Sequence, residues 1–174
     1  MNTVLRITEM KNMHEYLNKI NIFLNDLVLE YPLHEQWFEG VAKQLVCNSG
    51  EREILFVQNS EDDIIGVAIL KKGLCEKKIC TLRVAKEFQR RGIGTMLVKE
   101  SCDFLNTNKP IITVSQTKHS EFIHLFKKFN FEIEKIYCGK YRDMCIEYCY
   151  NGILLPETIL KEAQSYIESK DEIA

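Results

Sequence analysis

Residues 89–95 read Gln-Arg-Arg-Gly-Ile-Gly-Thr, and their types and spacing suit the binding of an anion. Gly92 and Gly94 remove side chains where several backbone N–H groups must point outward together. The run that follows places Ile93, Leu97, Ser101 and Leu105 at four-residue spacing, so it predicts a helix that adds its unpaired N-terminal amides and the positive end of its dipole. A short β-branched run at 79–84 precedes the turn, which completes a strand-turn-helix unit whose simplest ligand is a phosphate. A plain tight turn is the competing reading of two glycines before a helix.

Spacing separates the known glycine loops. A dinucleotide fingerprint needs a third small residue where this chain has Leu97, and a P-loop needs a Gly-Lys-Ser/Thr ending that is absent. What fits is Gln/Arg, two residues, Gly, one residue, Gly/Ala, filled by Gln89, Arg90, Arg91, Gly92, Ile93 and Gly94. This resembles the pyrophosphate loop of the GNAT superfamily of acyl-CoA-dependent N-acetyltransferases. The resemblance extends to a hairpin signal at 52–59 and 64–70, a strand at 111–115, and Glu121 to Phe131, which looks like the family's closing signature. Four departures stand out. Lys86 replaces a frequent proline, Asn130 replaces a glycine, His119 stands where an asparagine often helps to hold the pantetheine arm, and Phe126 occupies the place of the tyrosine often taken to protonate the leaving thiolate.

The resemblance implies acetyl-CoA as cosubstrate, no metal, and direct attack by a primary amine in a ternary complex. It implies that pantetheine lies along the backbone at Leu82 and Val84, that the amides of Gln89 to Thr95 hold the pyrophosphate with charge from Arg90 and Arg91, and that His119 and Phe126 border the same ligand. Such a transfer needs a neutral amine, a donor for the oxyanion and a departing thiolate. Glu30, Glu35 and Glu76 are candidate bases, and Glu35 sits in a segment, 29–37, that mixes aromatic rings with carboxylates as an amine pocket would. In the family this junction overhangs the acceptor, which here is a small-molecule or protein amine. With Phe126 unable to donate a proton, Tyr141 in the last strand-to-strand turn is the candidate acid. Two alternatives stay open: a non-catalytic acyl-CoA-binding regulatory domain, and an acetyltransferase acting on RNA or aminoacyl-tRNA.

These residues need a scaffold, and the pattern supplies one. The order strand, helix, helix, three strands, helix, strand, helix, two strands, helix predicts an α/β (α+β) fold, a mostly antiparallel sheet with one splayed parallel pair, 79–84 with 111–115. Helices are expected at 13–28 and 33–46, and a last one at about 156–170, within a single domain spanning 1–174. At 174 residues, 45% hydrophobic and 28% charged, the composition is that of an ordinary globular protein. No run reaches the ~20 apolar residues of a membrane span, and the first residues lack a signal-peptide core, so the cytoplasm is the expected setting. A net charge of −2 argues against a nucleic-acid surface, and a homodimer is compatible with the family. The seven cysteines include no Cys-x-x-Cys, and His119 and His124 lie on different sides of a helix, so no metal site is expected.

Overall fold

Period-two and period-3.6 hydrophobic patterns alternate along this chain, and each folds as its period dictates. A computed structural model describes residues 3–47, 49–156 and 159. Its strands are β1 (Val4–Arg6), β2 (Arg52–Gln58), β3 (Ile64–Lys72), β4 (Lys77–Val84), β5 (Ile111–Ser115), β6 (Ile133–Cys138) and β7 (Ile146–Tyr150). Its α-helices are α1 (Met13–Phe23), α2 (His34–Val46), α3 (Ile93–Leu105) and α4 (His119–Lys128). The strands form one sheet in the order β1-β2-β3-β4-β5-β7-β6, in which β4 and β5 run parallel and the other neighbouring pairs antiparallel. Among the described residues this is the expected order of elements. The expected helix at 156–170 falls, apart from its first residue and Ile159, outside the described residues.

Helices cover both faces of the central strands. Leu17 and Ile20 of α1 with Phe38, Val41 and Leu45 of α2 pack on Ile54, Phe56, Val67 and Ile69. Across the sheet, Ile93, Leu97, Val98, Cys102 and Leu105 of α3 and Phe126 of α4 pack on Leu55, Val57, Ala68, Leu70 and Ile79. This sandwiching explains why β2 and β3 read as near-continuous apolar runs.

Two boundaries differ from the sequence expectation, each because of a long-range contact. The first helix ends at Phe23 and continues as a 3-10 turn over Asn25–Leu29. Asn and Asp are weak helix formers, and the Asp26 carboxylate forms a bidentate pair with the Arg83 guanidinium of β4. The last hairpin connection, expected from the alternation on either side to span Gly139 to Arg142, runs over residues 139–145, with Arg142 drawn out to the α1–α2 junction. There it donates to the Leu29 carbonyl at 3.0 Å and to Glu30 Oε2 at 3.3 Å.

Candidate active site

The site begins where β4 and β5 part. Their pairing is confined to Lys78↔Ile111 and Ile79↔Ile112, and the register of β4 against β3 jumps from Leu70↔Ile79 to Ile69↔Thr81. Cys80 is therefore a bulged residue, and a bulge sharpens the local twist and re-aims the strand. Beyond it, Leu82 and Val84 stay paired to β3 through Ala68 and Gly66 while their other edge faces the gap. Residues 81–85 are half-exposed along it.

At the end of β4 the chain makes its glycine turn. Gln89 Nε2 donates to the Val84 carbonyl at 3.2 Å and folds the loop back on the strand. Arg90 (φ 59°) and Gly92 (φ 85°) are left-handed, which turns successive amides to the same side as a nest does. Gly92 caps α3 with no side-chain hydrogen bond, and the first turn holds no acidic residue. Amides 90–95 donate to no backbone carbonyl, the first such bond being Met96 N–H to Gly92 O at 3.0 Å. Ile93 is buried, anchoring the helix, while Thr95 is half-exposed in the first turn and Arg90 and Arg91 are exposed. The Arg91 guanidinium lies 5.3 Å from the Phe88 ring centroid. An uncompensated cluster of donors with exposed cations at its rim is complementary to a pyrophosphate.

Helix α4 closes the other side of the gap. His119, its first residue, stacks on Tyr148 with centroids 4.1 Å apart and places Nε2 2.6 Å from the Tyr150 hydroxyl. Phe126 is 1% exposed and packs among Phe122, Phe131 and Tyr150 as a core residue. Asn130 (φ 54°) takes the left-handed conformation after the helix, and Phe131 N–H bonds back to the Phe126 carbonyl at 2.9 Å.

A polar cluster that the sequence did not reveal lies on the α1–α2 side of the gap. Glu147 of β7 pairs in register with Ser115, the last residue of β5, and is 3% exposed. Its Oε2 has no hydrogen-bond partner. Around it stand Tyr31 and Glu30 of the α1–α2 junction, Lys78 of β4 and Arg142 of the last hairpin. Burial pushes the Glu147 carboxyl up to about 7, against the lowering by the Tyr31 hydroxyl and by Lys78 and Arg142. Burial first, then Glu147, Tyr141 and Glu30, hold the Tyr31 hydroxyl far above its ordinary value. Burial lowers Lys78, but Tyr141, Cys80 and Glu76 outweigh it and keep the ammonium charged. Glu30 Oε2 also accepts from Thr117 at 2.9 Å, and Tyr141 sets its ring edge-on to Tyr31 at 5.4 Å with its hydroxyl 3.4 Å from Lys78 Nζ.

Of the carboxylates considered from sequence, Glu30 joins this cluster and Glu35 does not. Glu35 is exposed on the first turn of α2 and its carboxylate makes no hydrogen bond among the described residues; the buried side chain there is His34. Glu76 is buried in the β3–β4 turn, where Lys71 Nζ holds it at 2.9 Å. Among the described residues no three His, Cys, Asp or Glu side chains gather as a metal site, and no helix is long and apolar enough to cross a membrane.

Residues 51–133 match the family model for the acetyltransferase (GNAT) domain. Among solved structures, a putative acetyltransferase of the GNAT family from Desulfovibrio desulfuricans superposes with a TM-score of 0.65 at 14% identity, over 86% of this chain and 97% of that one. NAA60 of Arabidopsis thaliana, solved with acetyl-CoA, gives 0.66 at 15% identity over 86% and 97%. The spermidine/spermine N-acetyltransferase SpeG of Vibrio cholerae gives 0.56 at 16% identity over 86% and 93%. No curated protein matches the sequence.

Proposed function

We propose that this chain, a GNAT-superfamily protein by fold and by the family model over its central residues, transfers an acetyl group from acetyl-CoA to a primary amine by direct attack in a ternary complex. The observation that carries the reading is the partnerless amide cluster at 90–95, opening onto the gap where β4 leaves β5. The residues present fit the cosubstrate. The left-handed turn and the start of α3 receive the pyrophosphate, Arg90 and Arg91 add charge at the rim, and the free edge of β4 at Leu82 and Val84 offers peptide groups to the pantetheine amides.

Acetyl-CoA supplies an activated acyl group on a leaving thiolate; the protein contributes position and proton handling. The amine enters from the α1–α2 side, between the 29–37 junction and the last hairpin loop. Arg142 ties those two segments together through Leu29 and Glu30. An ammonium is attracted there by Glu30 and Glu147, whereas the pyrophosphate end of the gap is basic. The acceptor is a small-molecule or protein amine, and the setting is the cytoplasm. Calorimetry with acetyl-CoA, followed by thiol release in the presence of spermidine and of a peptide with a free N-terminus, tests the proposal. Binding with amine-dependent thiol release is expected. Binding without release in any amine would leave an acyl-CoA-binding domain, and no binding would remove the assignment.

A further inference from the structure

We infer that Glu147 is the proton acceptor of the transfer, taking the acceptor's proton through the hydroxyl of the neighbouring Tyr31. The inference rests on the acyl-transfer reading and adds to it the pair that neutralises the amine. A carboxyl that is 3% exposed with one oxygen unpartnered is costly to keep, since an unsatisfied buried polar atom forfeits its hydration without replacement. The register sets Glu147 beside Ser115 at the end of β5, beyond the last residues that β5 pairs with β4 and so on the gap into which an amine would come to the thioester. Tyr31 and Glu30 of the α1–α2 junction neighbour Glu147, so an ammonium entering on that side meets them with the carboxylate.

Tyr31 links the two. Its hydroxyl stays protonated at any working pH, so it acts by exchange: it gives its own proton to Glu147 as it receives one from the ammonium. The freed nitrogen lone pair then forms the N–C bond to the acetyl carbon, and the C–S electron pair leaves with the sulfur. The nitrogen sheds its second proton and the thiolate takes one up, so CoA departs as the thiol, and Glu147 returns its proton to water. Ammonium and acetyl-CoA thus give amide, CoA and one released proton. The charged and titratable groups facing Glu147 fit the task. Glu30 at the junction and Cys149 on its own strand add no positive charge, while Lys78 on β4 and Arg142 on the hairpin loop limit the rise caused by burial. The carboxyl is left at about 7, where a large share is ionised at neutral pH yet each is basic enough to hold a proton.

Thiol release from acetyl-CoA, followed from about pH 5 to about pH 9.5 with spermidine and with the free-N-terminus peptide, tests the pair. In the parent, kcat/KM should rise with pH through about 7 and then level. Glu147→Gln should lower it about 10²–10⁴-fold at neutral pH and abolish that limb, the rate climbing instead toward the amine's own pKa, near ~10 for spermidine and near ~8 for the peptide's α-amino group. Tyr31→Phe should show the same profile, Glu147→Asp should recover part of the rate, and acetyl-CoA affinity should be unchanged in all three. A limb that survives in Glu147→Gln, or a parental profile in Tyr31→Phe, overturns the relay while acyl transfer stands. A parent that neither binds acetyl-CoA nor releases thiol overturns the acyl-transfer reading, and the relay with it.

Discussion

Gly66 of β3 lies so close to Ile93, the first residue of α3, that a Cβ at Gly66 would meet Ile93 Cγ2 at 2.8 Å and Leu97 Cδ1 at 3.2 Å. The contact seats the start of α3 against the sheet, beside Val84, the strand partner of Gly66. Ile93 is 1% exposed and β-branched, so its methyl cannot swing aside. Gly66→Ala should therefore cost about 1–3 kcal/mol, outweighing what a strand gains on losing a glycine, and should shift the amide cluster enough to weaken CoA binding. Urea denaturation and calorimetry read the two effects. An unchanged midpoint with unchanged affinity would mean that α3 is not placed by this contact.

A charge at Gly94 should separate folding from binding. A Cβ there would rest at 3.4 Å from Leu125 Cδ2 and 3.9 Å from Val84 Cγ2, ordinary contacts, so Gly94→Ala should fold and bind much as the parent does. Gly94→Asp adds an anion to a first turn that has no acidic residue, which favours the helix by about 0.3–1 kcal/mol but repels a pyrophosphate. CoA affinity should fall more than about tenfold while thermal stability holds or rises. Equal affinity in the folded Asp variant would place the phosphates elsewhere.

The glycine turn was legible because its chemistry is local: six consecutive residues set the backbone conformation, and the helix they open is in the same stretch. Asn130 was legible for a similar reason, as a residue that tolerates the left-handed conformation it adopts. Glu147 was not. In sequence it is one polar position in an alternating strand, and only the register against Ser115, with Tyr31, Lys78 and Arg142 arriving from distant segments, makes it a buried and partly unsatisfied acid. Phe126 shows the same limit, since its alignment with the family signature was readable but its place among Phe122, Phe131 and Tyr150 depends on packing.

Glu147 should also carry a stability cost that depends on pH. Its folded-state carboxyl titrates at about 7 against an ordinary value of 4.5, so the native state holds the proton more tightly than the unfolded chain. The favourable contribution of the protonated form is complete below about pH 4.5 and is lost as pH rises through about 7. Glu147→Gln removes this loss, so at about pH 8 the variant should be more stable than the parent, by at most roughly 3 kcal/mol, and the difference should close toward pH 4.5. Denaturation midpoints of parent and variant across that range decide it. A pH-independent difference would mean that the carboxyl is not raised.

Two tyrosines now compete for the hydroxyl that Phe126 lacks. Tyr141 stands on the amine side of the sheet, against Tyr31 and near Lys78. Tyr150 stands on the α4 side, its ring 4.7 Å from that of Phe126 and its hydroxyl 2.6 Å from His119 Nε2. Burial first, then Tyr148, raise the Tyr150 hydroxyl, so it remains a proton donor at neutral pH. A thiolate is a weak base and leaves with little help, so the effect of losing its acid should be modest. Tyr150→Phe should lower kcat about tenfold with acetyl-CoA affinity intact, whereas Tyr141→Phe should raise the acceptor KM and leave kcat nearly unchanged. The reverse pattern, with kcat falling only in Tyr141→Phe, would return the acid's role to the hairpin turn. Parental kinetics in both variants would mean that the thiolate departs unassisted or takes its proton from water.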